Sequence, residues 1–342
     1  MSARSANTVL ETKTRGLVRT SLPKLPPAPG FDGAEEYEQQ VKLWEVWIAH
    51  EKEDPLVLQT EDPTMYRQRV LYVYKQALMA LRFYPAMWAD AADWCFQNDL
   101  STEGVAFLDD GIKANPESCL LAFKKADRLE AHPSTVEGVE GNDPATQGAL
   151  VRAPFDKVLD ALYDQIKQLK TREARDLAKL EESLALDESI SAIVSKAEDD
   201  DEATEADKVA READKANKTK VIQLGYASQA ELISRLISFV WIALMRAMRR
   251  VQGKGGVKDV IGGSRQVFAD ARARGKLTSD VYVASALIEH HVYKDAAGTK
   301  IFERGAKLFP EDATFILEYL KHLLSIGDTT SKLPLMSYRT SC

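Results

Sequence analysis

Residues 70–123 read VLYVYKQALMALRFYPAMWADAADWCFQNDLSTEGVAFLDDGIKANPESCLLAF. Apolar side chains recur here every three or four residues: Val70, Leu71, Tyr74, Ala77, Leu78 and Leu81, then Met87, Trp88, Ala91, Ala92 and Cys95, then Val105, Ala106, Leu108, Ile112 and Ala114. That is the spacing of one helix face, and no sustained period-two alternation suggests a strand. Prolines separate the runs. Pro85 suits the first turn of a helix, where its missing N–H has no bond to lose. Asn115-Pro116-Glu117 repeats the signal, with Asn115 expected to cap, Pro116 to open the next helix and Glu117 to lie at the positive end of its dipole. Pro85 to Pro116 is thus one helix pair closed by a proline, at the roughly 30–40-residue period of helical-hairpin repeats. A lone hairpin leaves its apolar face in water. Stacking on neighbours covers it, and the predicted fold is an all-α superhelical stack.

Upstream, Trp44, Trp47, Ile48 and Glu51 lie at i, i+3, i+4 and i+7, again one helix face. Residues 35–131 are therefore expected to be hairpin repeats. Residues 1–34 set Arg4, Lys13, Arg15, Arg19 and Lys24 against Glu11 and Asp32 and run into SLPKLPPAPG, which predicts a flexible arm, either a plain linker or a basic contact segment. Residues 132–196 should hold a loop to about 152 and then one long helix. Its apolar residues from Phe155 to Leu184 form a coiled-coil-like seam broken at Glu173. Residues 197–220, with AEDDDEATEADKVAREADK, read as a disordered acidic linker. Hairpins resume over 221–329, through Leu232 to Met245, a next helix with Val260, Ile261, Val267 and Phe268, a capping cluster at Thr278-Ser279-Asp280, and a new start at Phe309-Pro310-Glu311-Asp312. Residues 330–342 do not continue the pattern.

The chain has 342 residues, with 45 Lys and Arg against 52 Asp and Glu and a formal net charge of −7. An acidic chain is a poor general nucleic-acid binder, although a local basic group can still act. Cys95, Cys119 and Cys342 lie far apart, which implies a reducing compartment, no disulfide framework and no metal-ligand spacing. No apolar run is long enough for a membrane span, and none forms a signal-peptide core.

The helix pairs resemble half-a-TPR (HAT) repeats, in which the first helix carries spaced aromatics and then an acid, and the second an aromatic, a small residue and a closing proline. Trp44, Trp47 and Glu51 match the first. Tyr74-Lys75-Gln76-Ala77-Leu78 up to Pro85 and Ile301-Phe302-Glu303-Arg304-Gly305 up to Pro310 match the second. Trp88, Pro116, Trp241, Tyr282, Glu289 and Tyr319 are read as further repeat-core positions. Three runs, KLWEVWIAHEKEDPL (42–56), YKQALMALRFYPAMW (74–88) and SDVYVASALIEHHVYKDAAGTKIFERG (279–305), resemble the Suppressor-of-forked family of cleavage stimulation factor and fungal cleavage factor IA subunits. SLPKLPPAPGF and NPESCLLAFKKADRLE look nearest its fungal members, and the likeness runs over roughly residues 15 to 329. It implies a non-catalytic scaffold of pre-mRNA 3′-end cleavage and polyadenylation that bridges subunits and dimerises through its repeats. RNA would be reached mainly through partner subunits, in the nucleus and also the cytoplasm, with no cofactor and no small-molecule substrate. Against that family the chain is expected to correspond to the C-terminal repeat block, without the N-terminal block or the tail that holds an RNA-binding subunit.

Five groups of residues carry other readings. Glu289-His290-His291 resembles an acid–base or ligand cluster, but neighbours on a helix diverge by about 100° and do not converge on one site. His50 and Glu51 are read the same way. Gly253-Lys254-Gly255-Gly256 lacks the strand and the Ser or Thr of a phosphate-binding loop and reads as a helix stop. Arg246, Arg249 and Arg250 share a helix face and, with Lys254 and Lys258, form a basic group that fits RNA phosphates or an acidic partner, or else is a solvated face or pairs within the stack. Tryptophans and tyrosines at helical spacing are either base-stacking platforms or inter-helix core.

Overall fold

A computed structural model describes residues 3–20, 22–132, 143–197 and 205–327. Among them the regular structure is entirely helical: thirteen α-helices and one turn of π-helix. The chain divides into two compact units, Met1–Glu140 with Ala153–Val158, and Gly141–Arg152 with Leu159–Cys342.

The first unit contains α1 (Ala3–Lys13), α2 (Ala34–Lys52), the short α3 (Leu58–Glu61), α4 (Pro63–Ala80), α5 (Pro85–Gln97), α6 (Ser101–Ala114) and α7 (Cys119–Ala131). The long helices pair in chain order, α2 with α4 and α5 with α6, the short α3 lies on α4, and α7 packs on both α5 and α6. The apolar runs read from the sequence supply the shared core: Trp44, Val70, Tyr74, Ala77, Ala91, Cys95, Leu108 and Leu121 are all buried. Trp44 stacks on Trp47 with ring centroids 5.4 Å apart. Pro85 is at the start of α5 and Pro63 at the start of α4, where Asp62 accepts the Met65 N–H at 3.1 Å. Close approach of paired helices depends on small residues. A Cβ on Gly111 of α6 would lie 3.0 Å from the Trp88 Cβ of α5.

Asn115 acts at the end of α6 instead of the start of α7. It is buried, and its Nδ2 donates to the carbonyls of Gly111 and Arg82, both at 3.1 Å. The Gly111 carbonyl also accepts the Asn115 backbone N–H at 2.9 Å, so this one residue closes α6 and ties its end to the turn after α4. The cap of α7 is Ser118, which accepts the Leu121 N–H, so Pro116 lies in the connecting turn.

The first 34 residues are not uniformly an open arm. Ala6, Leu10 and Thr14 recur at i, i+4 and i+8 and give α1 and the turn that follows it an apolar edge, with Ala6 and Thr14 buried and Leu10 and Leu17 packed against the core. Gln40 clamps the turn that follows, accepting the Val18 N–H at 2.9 Å and donating to the Gly16 carbonyl at 3.1 Å. So short a helix draws its stability from docking, which composition does not register. Residues 22–28, in the proline run, carry no regular structure.

In the second unit, α8 (Pro144–Ala197, of which residues 144–152 and 159–197 belong here) and α9 (Glu205–Val251) run antiparallel. Trp241 Nε1 donates to Tyr163 Oη at 3.2 Å, and Tyr226 Oη donates to Asp176 at 2.6 Å. Leu159, Leu162 and Ile166 of the predicted seam are buried, as are Ile237, Val240 and Leu244 on α9. Two expectations change. The helix starts at Pro144, not after residue 152, because Asp143 caps it through the N–H and hydroxyl of Thr146 at 3.1 and 2.8 Å. These bonds hold the Asp143 carboxyl below its usual range. Of the expected acidic linker, 198–204 lie outside the described residues, but 205–220 are helical. Alanines and i,i+4 pairs such as Lys218–Asp214 at 2.8 Å favour the helix locally. Residues 133–142 of the expected loop and the 330–342 tail also lie outside the described residues.

The unit continues with α10 (Gly263–Arg274), α11 (Ser279–Leu287) running into the π turn Ile288–Val292, α12 (Ala297–Leu308) and α13 (Ala313–Ile326). Val260 and Ile261, expected on a helix, are exposed in the turn before α10. There the chain doubles back so tightly that a Cβ on Gly255 would lie 2.1 Å from the Gly262 carbonyl oxygen. Thr278 precedes α11 without a side-chain cap, and its N–H goes to Ser238 Oγ at 2.8 Å. Asp312, two residues after Pro310, caps α13 through the Phe315 N–H at 3.1 Å. Gly305 of α12 repeats the role of Gly111, since a Cβ there would lie 2.4 Å from the Phe315 ring.

Candidate functional site

The two motif glutamates are buried, each held by an arginine that the sequence reading did not single out. Glu51, at the end of α2 and 6% exposed, accepts from Nε and Nη2 of Arg69 on α4, at 2.9 and 3.1 Å. Glu289, in the π turn and 4% exposed, takes Arg265 from α10 through two bonds of 2.7 Å. Such fork-to-fork pairs fix orientation as well as charge. The second lock is larger. Asp295 accepts Arg265 at 2.9 Å and Lys254 at 2.7 Å, and takes the Ala297 N–H at 2.9 Å as the first turn of α12 begins. The Lys254 bond, then the Ala297 N–H and Arg265, hold the Asp295 carboxyl well below its usual range. Glu289 in turn pushes the Arg265 pKa up. These charges join neighbouring helices.

The expected basic group is therefore split. Lys254 is committed to Asp295, and Lys258 lies at a φ of +71° with its N–H on Gln266 Oε1 at 2.7 Å. Arg246 and Arg250 are exposed and Arg249 is half-buried on the last turns of α9, where positive charge suits the negative end of the helix dipole. The Gly253–Gly256 run is the tight turn after α9, in agreement with a helix stop.

The histidine cluster resolves into two directions. Glu289 turns to Arg265, while the His290 ring lies 4.6 Å from that of His322 and 4.8 Å from that of His291. His322, on α13, is buried. Its Nε2 is 2.9 Å from Thr299 Oγ1, and Phe302 stacks on it at 4.8 Å. Burial, then His290 and His291, lowers its pKa. His50 is buried in α2. Among the described residues no His, Cys, Asp and Glu group is placed to hold a metal ion, and no helix is long and apolar enough to cross a membrane.

The aromatic motif residues are core. Trp44, Tyr74, Trp88, Trp241, Tyr282, Phe302 and Tyr319 are buried. Trp88 Nε1 donates to the Arg82 carbonyl at 2.9 Å, and the Tyr163 hydroxyl that receives Trp241 donates to the Gly275 carbonyl at 2.8 Å. Tyr74 donates to Asp90, and burial followed by that bond pushes its phenol pKa up. These faces are unavailable for stacking on bases.

What remains open is outer surface. Between α8 and α9 lie two shallow grooves, one of about 380 Å³ past Leu169, Arg172, Gln229 and Leu232, the other of about 480 Å³ past Asp176, Val221, Gly225 and Tyr226.

Paired helices, an acid seven residues after the leading aromatic, a small residue at the crossing and a closing proline define an all-helical repeat protein of the HAT type. The chain belongs to the Suppressor of forked family, matching "Suppressor of forked protein (Suf)" over residues 1–335. It is 57% identical to the mRNA 3′-end-processing protein rna14 of Aspergillus fumigatus over 329 residues, 96% of this chain and 31% of that protein. It is 55% identical to rna-14 of Neurospora crassa over 347 residues, 97% of this chain and 28% of the relative. RNA14 of Yarrowia lipolytica is 31% identical over 332 residues, covering 96% of this chain and 32% of that protein. The chain spans about a third of the length of the curated relatives it matches.

Proposed function

We propose that this chain is a non-catalytic scaffold in pre-mRNA 3′-end cleavage and polyadenylation, working in the nucleus. It bridges other subunits of that machinery, associates with itself and reaches RNA through its partners. The observation that carries the reading is the match of nearly the whole chain to relatives named for mRNA 3′-end processing. The structure suits the role in a specific way. The charged and aromatic motif residues are spent inside, so helix packing is rigid and the outer faces are left for partners.

The test is immunoprecipitation of the tagged chain from fungal nuclear extract, with blots for cleavage and polyadenylation subunits and an assay of the eluate for poly(A)-site cleavage of a synthetic pre-mRNA. Those subunits and that activity should come down together. An eluate lacking both overturns the reading.

A further inference from the structure

The run LPKLPPA at residues 22–28 takes no part in the helix pairs, yet its composition is specific. Every residue in it except Lys24 is a proline or stands before one. Proline fixes its own φ at about −65° and pushes the residue before it into extended backbone. The run is thereby held close to polyproline II, a left-handed helix of about three residues per turn, and Leu22 to Ala28 spans about 19 Å. A period of three sorts the side chains onto three edges. Leu22 and Leu25 share one, Pro23 and Pro26 the next, and Lys24 and Pro27 the third. Leu22 is 83% exposed and Leu25 72%, Pro26 is exposed, and Pro23 and Pro27 are half-buried. Two Leu-Pro pairs therefore stand one turn apart with both leucines in water.

Residues on either side hold the run in place. Upstream, the Arg19 guanidinium lies 4.2 Å from the centre of the Trp47 ring. Downstream, Phe31 donates its N–H to the Ala28 carbonyl at 3.1 Å as the chain turns into α2. A stiff spacer between α1 and α2 would need the prolines but not the leucines, because leucine left in water costs free energy and adds no stiffness. The leucines acquire a use if something covers them. Apolar-proline pairs at a spacing of three are what aromatic-lined grooves take: each pair fills one notch between rings, and the carbonyls, unpaired within a polyproline II segment, accept from the groove's hydroxyl or indole N–H groups. Nucleic acid fits less well, since Lys24 is the single charge in the run and phosphates select clustered cations. Being preformed and tied at both ends, the segment has little freedom left to lose on binding.

We propose that residues 22–28 are a docking ligand for a partner protein that carries an aromatic-lined polyproline groove. The proposal does not depend on which machinery the chain serves. The whole chain is titrated calorimetrically with every SH3, WW and EVH1 domain of one fungal proteome, each purified singly, and with oligouridine as an RNA probe. At least one domain should bind, and Leu25→Ala with Pro26→Ala should weaken it at least ~10-fold. Lys24→Ala with Pro27→Ala also removes one proline, but from the third edge, and should change the affinity less than about threefold. Circular dichroism should show all three proteins equally helical. Equal losses from the two pairs would mean that no edge is read, and would overturn the proposal. So would a domain that binds both double variants as tightly as wild type, oligouridine binding alone, or no domain binding at about 200 µM.

Discussion

Glu51 in the first unit and Glu289 in the second answer one sequence rule, an acid seven residues after the leading aromatic, Trp44 or Tyr282. Each ends buried on a bidentate arginine, yet the arginines come from opposite directions along the chain. Arg69 follows its glutamate by 18 residues on α4, whereas Arg265 precedes its glutamate by 24 on α10. The second lock also carries Asp295 and Lys254, and the first has no such addition among the bonds described. What recurs, then, is a requirement and not a spacing. A carboxylate buried at the end of the first helix needs a counter-charge, and either neighbouring helix can bring it.

The largest expected effect comes from opening these locks. Arg265→Ala should destabilise the second unit by about 4 kcal/mol and Arg69→Ala the first by about 3 kcal/mol, since each strands a buried carboxylate. Urea unfolding followed by tryptophan fluorescence measures this, with Trp241 the sole tryptophan of the second unit. Replacing both partners, as Glu51→Leu with Arg69→Met, should recover most of the loss. Equal costs for the single and double variants would show that the pair is not the source.

The two crossing glycines come next. Gly305→Ala drives a methyl into the Phe315 ring and should cost about 2 kcal/mol, against about 1 kcal/mol for Gly111→Ala, where the contact is less severe. The thermal midpoints give the ranking, and a reversal would mean that α12 shifts more readily than α6.

A smaller effect separates the units by pH. His322 has a folded pKa below its ordinary 6.5, so the unfolded chain binds the proton more readily. The second unit should therefore hold its full stability above pH 6.5 and lose some as pH falls below that value toward the folded pKa. His322→Phe should flatten that slope while the first unit is unaffected. An unchanged slope in urea titrations would remove His322 as its cause.

The smallest effect concerns Arg246 and Arg249. If these side chains touch RNA, Arg246→Glu with Arg249→Glu abolishes a low-salt mobility shift without altering stability by more than about 0.5 kcal/mol. Binding that is unchanged by the pair would leave the basic group as helix-end electrostatics.

Much of the architecture was legible in advance. The runs Val70–Leu81 and Met87–Cys95 show helical periodicity, and Pro85 opens a helix as its fixed φ predicts. Harder to read were elements whose stability is borrowed. The helix at residues 3–13 looks like arm composition until Ala6 and Leu10 find α2, and residues 205–220 look like a solvated acidic tract although their local pairing favours helix. Asp143-Pro144 repeats the start signal of Asp62-Pro63 and could have placed the beginning of α8. The basic group was legible as composition only, because nothing local to Lys254 reveals Asp295, 41 residues away.

By itself, then, the sequence determined that this protein is a series of helix pairs with an acid, a small residue and a proline at set positions, because those signals act within a turn or two of the backbone. Only the tertiary structure decided which arginine answers each glutamate and which cations remain outside. Those outcomes depend on burial, and burial is set by neighbours that the chain brings together from far apart.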